Sequence, residues 1–486
     1  MKKKAFIIYF FVTVFFFGML IKLEYATDTY AVFNFDKEAV YMQYAMSGRF
    51  ITGTFLKIFK MIKISEHTMY YLSYILAMFG TIFSQFVLYL IIEKDIKSKV
   101  LKIIIPTLII INPFSIELFL FIEKGFMWLG ILACVLALRN LQRYFKIKDL
   151  SQQSKGDKRY LLYSLIFMFV ANCLYQGVVG IFLSIALVYI LKYSKNLKSF
   201  ITNNVIAGVI YVLPALFNYL VVKIRFKDSR LNGQIIFLKS IEKIWYNMIN
   251  MFKNMFGMLP KYTFILLILF TFVVFCSKIC KEKKKLLPIL KFLYIIIGVT
   301  AIAITPQIIQ PTNSIWFVPR TMYCFGALYG ILILFLAINC NLEIISRILI
   351  VITSIVLIIF QAQKFINIEN DRFLINKKDS IVTMQIIEQI NNYEKQSKNT
   401  ITEISWYQDE KPNYTYEGIF ATGDMNVKSY SSDWSTVEIL KYYTKKNIML
   451  VKKDEKLSAD FKRKNWEEFD KSQIVFEKNR MHLCNY

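Results

Sequence analysis

Long apolar runs recur along this chain and constrain its fold more than any other feature. They lie near residues 5–21, 68–92, 101–121, 125–139, 160–175, 177–192, 204–223, 262–279, 287–305, 320–339 and 347–363. Crossing a bilayer takes roughly 17 to 25 predominantly apolar residues, so most of these runs suffice, and the fourth, fifth and sixth sit nearest the lower limit. A hydrophobic fraction of 56% over 486 residues is too apolar for a soluble globular protein of this length. The chain reads as an all-α polytopic membrane protein of about eleven transmembrane helices.

The first run follows Met1-Lys2-Lys3-Lys4 and is trailed by no small-x-small cleavage site, which reads as an uncleaved anchor. Lys and Arg collect at residues 2–4, 93–99, 139–159, 192–198 and 278–285. The positive-inside bias places these segments, with the N-terminus, in the cytoplasm. The first long loop (23–67), residues 223–261 and 305–320, and everything after about residue 364 are then external. In this setting the net charge of +26 reads as topological signal and attraction to a membrane surface, with no nucleic-acid recognition module. Lys223, Arg225, Lys227 and Arg230 suit an anionic lipid or a phosphate-bearing substrate, or simply a solvated loop. Six of the seven cysteines fall in or beside spans and Cys484 stands nearly alone at the end, so they make no disulfide framework, and Cys276 and Cys280, one helical turn apart, lack the further ligands of a metal site.

Composition becomes polar and mixed near residue 364, dividing a membrane domain (1–363) from a small external α/β domain (364–486). In the latter, Ile381, Met384, Ile387 and Ile390 recur at helical spacing, 400–406 and 448–451 suit strands, and 435–445 suits a helix. In the first loop Phe35, Ala39, Met42 and Met46, then Ile51, Phe55, Ile58 and Phe59, outline two short amphipathic helices. That loop also gathers Glu24, Asp28, Asp36 and Glu38 beside the bilayer, where ionisable groups usually serve a function.

No phosphate-binding glycine loop and no His-Glu-x-x-His occurs, and neither His67 nor His482 has triad partners near it. The span interiors carry almost no ionisable residues, unlike an ion-coupled transporter. Polar groups cluster instead at span ends assigned to the external side: Asn112, Glu117 and Glu123; Tyr175 and Gln176; Gln307, Gln310, Trp316 and Arg320.

Taken in order, Asp28-Thr29-Tyr30, Gly48-Arg49, Asn112-Pro113-Phe114 with Glu117, Tyr175-Gln176-Gly177 and Pro319-Arg320 resemble the bacterial Gtr-type glucosyltransferase membrane family. Each motif is short; their order and shared side carry the resemblance, which spans most of the membrane part. It implies a GT-C superfamily glycosyltransferase of the bacterial plasma membrane. Such an enzyme is expected to move a sugar, here glucose, from a polyprenyl-phosphate donor to a cell-surface glycan with inversion. A carboxylate in the first external loop would take the acceptor hydroxyl's proton. Asp28 is the first choice for that base; Asp36 and Glu38 follow, one of which could instead orient the acceptor or hold a divalent cation. Glu24, so near the end of the first span, suits an interface anchor. Arg320 and Arg49 suit the leaving phosphate, and Tyr30, Glu117, Tyr175, Gln176, Gln307 and Trp316 suit the sugar or acceptor. Structural roles stand beside these: Gly48 as a helix C-cap, Arg320 as an interfacial anchor, Tyr175-Gln176 as a helix-hairpin contact. A lipid-linked glycan polymerase or ligase is the alternative enzyme, and a lipid-oligosaccharide flippase the alternative from another class.

Overall fold

A computed structural model describes residues 2–22, 24–150, 157–226, 234–279, 286–308, 310–340 and 342–486. Lys227, Arg230, Cys280 and the lysine-rich stretch 281–285 lie outside the described residues. The α-helices, numbered along the chain, are α1 (Lys2–Phe17), α2 (Thr27–Asn34), α3 (Lys37–Ala45), α4 (Phe50–Met61), α5 (Glu66–Ile92), α6 (Leu101–Ile110), α7 (Lys124–Leu150), α8 (Lys158–Leu174), α9 (Gly180–Tyr193), α10 (Leu197–Arg225), α11 (Phe237–Asn254), α12 (Thr263–Ile279), α13 (Leu286–Ile308), α14 (Tyr323–Gly326), α15 (Leu328–Asn339), α16 (Ile344–Ser397), α17 (Asp433–Thr444) and α18 (Glu455–Phe461). Among the described residues eight helical segments are long and apolar enough to cross a membrane, and α6 and α12 are shorter apolar helices. The chain forms two compact units: residues 1–21, 37–119 and 123–365, and residues 22–36, 120–122 and 366–486.

The first unit is a helical bundle with two chemically distinct ends. At one end the basic connections come together: Lys2 pairs with Glu93 at 3.7 Å, Lys192 with Asp95 and Lys195 with Asp149 at 2.7 Å. The other end carries the C-terminus of α6 and the N-termini of α5, α7 and α9, and the candidate site is built there. The two amphipathic helices expected in the first loop correspond to α3 and α4.

One expected span is interrupted. The run 101–121 is helical only to Ile110, and Ile111–Ile122 forms a buried loop around a 3-10 turn, Ser115–Phe119. Asn112-Pro113 is the physical cause: the proline disfavours helical geometry at the residue before it. The Asn112 side chain then accepts from the Phe114 N–H at 2.9 Å and donates to the Ile109 and Tyr323 carbonyls. The Tyr323 hydroxyl donates to the Ile110 carbonyl at 2.7 Å and the Gln361 amide to that of Ile111 at 2.7 Å. The Ile109, Ile110 and Ile111 carbonyls thereby find side-chain donors, the condition for irregular backbone inside a membrane bundle. Gly326 belongs to the same arrangement, since a Cβ there would collide with Asn112.

The second unit holds a four-stranded sheet of β1 (Glu403–Gln408), β2 (Met449–Leu450), β3 (Ile474–Glu477) and β4 (Arg480–Asn485), in the order β2-β1-β4-β3. The two pairs involving β1 are parallel, and β3–β4 is an antiparallel hairpin. The helix expected over 379–393 is part of α16, whose 54 residues span about 80 Å at 1.5 Å per residue. No glycine or proline falls between Ile344 and Ser397 to end it. Only its apolar beginning can occupy the ~30 Å hydrocarbon layer. Residues 22–36, sequence-distant from the tail, also belong to this unit. Within it α2 packs on α17, and the Asn34 amide donates to the Glu438 carboxylate at 2.7 Å.

Candidate active site

Four segments of the first unit converge at the end of the bundle opposite the basic connections. The first is the turn between α3 and α4. Gly48 has φ +74°, a left-handed conformation that suits glycine and ends α3 in the expected manner. The turn is held from outside: the Gln176 amide donates to the Ser47 carbonyl at 3.0 Å and the Asn218 amide to the Gly48 carbonyl at 2.8 Å. A Cβ at Gly48 would strike both side chains. Arg49 is thereby presented to Glu123 (3.3 Å) and over the face of Tyr175, 4.6 Å from its centroid. The other oxygen of Glu123 accepts from the Tyr44 hydroxyl at 3.2 Å. The Nε of Arg49 is buried and makes no hydrogen bond among the described residues, although the side chain is 25% exposed.

The second segment is the loop after α6, which carries Glu117, and the third is the 3-10 turn Pro319–Met322, which carries Arg320. Both oxygens of the fully buried Glu117 are engaged by Arg320: Nη1 lies 2.8 Å from Oε1, and the Arg320 backbone N–H donates to Oε2 at 2.5 Å. A charged pair this buried persists only with its hydrogen bonds in place. The Arg320 guanidinium also lies 5.1 Å from the centroid of the 40% exposed Trp316 ring. Gln307 holds Trp316 by its backbone, accepting from its N–H at 3.1 Å and donating to its carbonyl at 3.3 Å.

The fourth segment is Tyr175-Gln176-Gly177 between α8 and α9. Gly177 permits close approach, since a Cβ there would lie 2.9 Å from the Arg320 carbonyl. Tyr175 is buried near both ion pairs, and the charges of Arg320, Arg49, Glu117 and Glu123 all act on its hydroxyl. The arrangement is therefore two guanidinium groups, each tethered to a buried carboxylate, near one tyrosine. It is suited to an anion with several oxygens.

Arg49, Glu117, Tyr175, Gln176, Gln307, Trp316 and Arg320 thus fall in one region. Gln176 and Gln307 spend their amides on backbone groups, so they position Arg49 and Trp316 and have less capacity left for a sugar. Glu38 is exposed and paired with Lys57 at 2.8 Å. Asp28, Tyr30 and Asp36 belong to the second unit. There Asp28 sits half-buried in the first turn of α2, Asp36 is exposed, and Tyr30 packs in the apolar core against Tyr442 and Tyr443. The Tyr30 ring, expected to serve the sugar, is only 2% exposed.

The sequence alone assigns no role to Tyr44, Lys124 or Asn218, and marks Glu123 only as one of the polar residues at a span end. Asn218 lies within an apolar run, where a lone amide is a signal of a buried partner. Glu123-Lys124 interrupts another run, and Lys124 is buried with its ammonium 3.6 Å from the Tyr70 ring centroid. For Tyr44 there was no such signal.

No curated protein and no solved structure matches the chain. A protein-family model, described as Glucosyl transferase GtrII, matches residues 16–335 and so covers all four segments of the site. The chain belongs to the GtrII glucosyltransferase family.

Proposed function

We propose that this membrane glycosyltransferase moves a glucosyl residue from a polyprenyl-phosphate donor to a cell-surface glycan, at the external face of a bacterial plasma membrane and with inversion at the anomeric carbon. The observation that carries the reading is the pair of tethered guanidinium groups near Tyr175, with the Arg49 Nε–H buried and unengaged. The acceptor oxygen bonds to the anomeric carbon while the bond from that carbon to the phosphate oxygen breaks and its electron pair stays on the lipid phosphate. Charge grows on that phosphate, and Arg49 and Arg320 stabilise it through charge-assisted hydrogen bonds. The exposed Trp316 face offers a stacking surface for the sugar. Placement of this site opposite the basic end of the bundle supports the external assignment.

The acceptor hydroxyl must lose its proton, and Asp28 is the base. Asp36 and Glu38 are less suited, the one exposed and the other exposed and paired with Lys57. No group of three or more His, Cys, Asp or Glu that could hold a metal ion occurs among the described residues. A flippase would need a polar central cavity, whereas the two guanidinium–carboxylate pairs here lie at one end of the bundle.

The test is glucosyl transfer by purified protein from synthetic polyprenyl-phosphate glucose to delipidated surface glycan. Asp28→Asn is expected to lower transfer at least about 100-fold with the chromatographic profile intact. Unchanged transfer would remove Asp28 as the base, and absence of transfer by the unaltered protein with this donor would remove the donor assignment.

A further inference from the structure

Helix α11 divides its surface into three sectors rather than two. At about 100° per residue, Ser240, Ile244 and Met251 share one side and are buried against the bundle. Phe237, Leu238, Ile241, Trp245 and Ile249 form an adjacent stripe and are all exposed, Leu238 by 78% and Trp245 by 60%. Lys239, Lys243 and Lys253 occupy the remaining side with one acid, Glu242. A helix of a soluble protein needs a core side and a water side. A separate exposed apolar stripe between them, with a tryptophan in it and lysines along its flank, fits a helix lying in the bilayer interface with one side on its own bundle.

Both ends of α11 are tied to the loops that carry the buried ion pair. At its start Thr312 is the anchor. Its hydroxyl accepts from the Ile236 N–H at 2.7 Å and lies 2.7 Å from the Ser240 hydroxyl, its N–H donates to the Gln234 carbonyl at 3.1 Å, and its carbonyl accepts from Lys243 at 3.4 Å. Eight residues later this segment reaches Arg320. At the other end Met255, Phe256 and Gly257 are consecutively left-handed, with φ of 45°, 55° and 75°. Two non-glycine residues in that region are backbone strain held by their surroundings. The turn places Phe256 5.6 Å from Phe114, ring to ring, on the loop that carries Glu117.

We propose that α11 is a lipid-bound strap: its apolar stripe inserts among acyl chains, its lysines bind anionic phospholipid headgroups, and the bound helix clamps the Glu117 and Arg320 loops together. Helix α11 packs on α12 and α13, whose Leu266, Leu269, Leu290 and Ile297 are also exposed. The excess of lysine over acid makes anionic headgroups the fitting occupant of the flank.

The test needs no knowledge of the reaction. Full-length protein is placed in nanodiscs made with phospholipids brominated high on the acyl chain or near its end, and the Trp245 contribution is isolated by difference from Trp245→Phe. Quenching about twofold stronger by the shallow bromines than by the deep ones is expected for an interfacial residue. Absence of quenching by either lipid would overturn the proposal, whether the stripe then proves to face water, shown by iodide quenching, or a second copy of the chain. The coupling is read as the rise in thermal midpoint on adding anionic lipid to zwitterionic nanodiscs. Thr312→Val should cut that rise about twofold, and Lys239→Gln with Lys253→Gln should do the same through the headgroups. No rise in the unaltered protein would reject headgroup binding, and an unaltered rise in Thr312→Val would reject the clamp.

Discussion

Replacing Arg320 is the sharpest perturbation of the candidate site, because the structure fixes what is left behind. Glu117 has no exposed surface, and both of its oxygens are engaged by Arg320, one by the guanidinium at 2.8 Å and one by the backbone N–H at 2.5 Å. At 2.8 Å the gross attraction is about 6 kcal/mol for an effective dielectric near 20. Much of it offsets the desolvation of the two charges, so the pair adds far less than this to net stability. Arg320→Met keeps the backbone donor but strands a buried carboxylate, at a cost of about 3–5 kcal/mol. Glu117→Met strands the guanidinium at a comparable cost. Joining neutral, space-filling changes, Arg320→Met with Glu117→Met, should recover most of the loss, so the double variant lies at least about 2 kcal/mol above the sum of the single ones. Thermal midpoints of the three variants in one detergent, converted through the measured unfolding enthalpy, give the cycle. Transfer should remain lost in the double variant although its stability returns, because a methionine cannot hold phosphate oxygens. Additive single effects would refute the buried-pair argument, and recovered transfer would refute the phosphate role of Arg320.

Two further outcomes are expected. Gly48→Ala puts a Cβ on a left-handed residue and into Asn218 and Gln176, so stability should fall by about 1–3 kcal/mol; an unchanged thermal midpoint would show that the turn can relax. His482, buried on β4, has its pKa held below 6.5 by burial, although Glu477 at 3.6 Å opposes this. The unfolded chain therefore takes up the proton first, so the stability that His482 contributes is complete above pH 6.5 and is lost as pH falls from there through the lower folded value. Limited proteolysis of the tail in the full-length protein at about pH 7.5 and 5.5 should show faster cleavage at the lower value, and His482→Gln should flatten the difference. Equal rates in the unaltered protein would refute the linkage.

Periodicity and composition made the membrane bundle legible, because lipid imposes one requirement on every span and the residues record it directly. The short helices α3 and α4 could be read for the same reason, as could the tail's β1, β2 and α17, all from local patterns. The hairpin β3–β4 escaped because Val475 and Glu477 alternate with residues of one short strand too weakly to stand out. The site was legible as a set of segment ends but not as a set of partners. Arg320 and Glu117 are 203 residues apart, and no local pattern records a pairing across that distance. Tyr30 shows the converse limit. An aromatic residue beside acids in a loop suits sugar binding and suits a core equally well, and only the packing of α2 on α17 within the second unit distinguishes the two. The same packing separates the roles of the first loop's polar residues. Arg49 draws its geometry from Glu123, Gln176 and Asn218, and Asp28 draws its own from the fold of the tail. A first loop divided in this way ties Asp28 to the tail: whatever orders residues 22–36 also orders it, so under the proposed assignment of Asp28 as the base, damage to the tail core should reduce transfer.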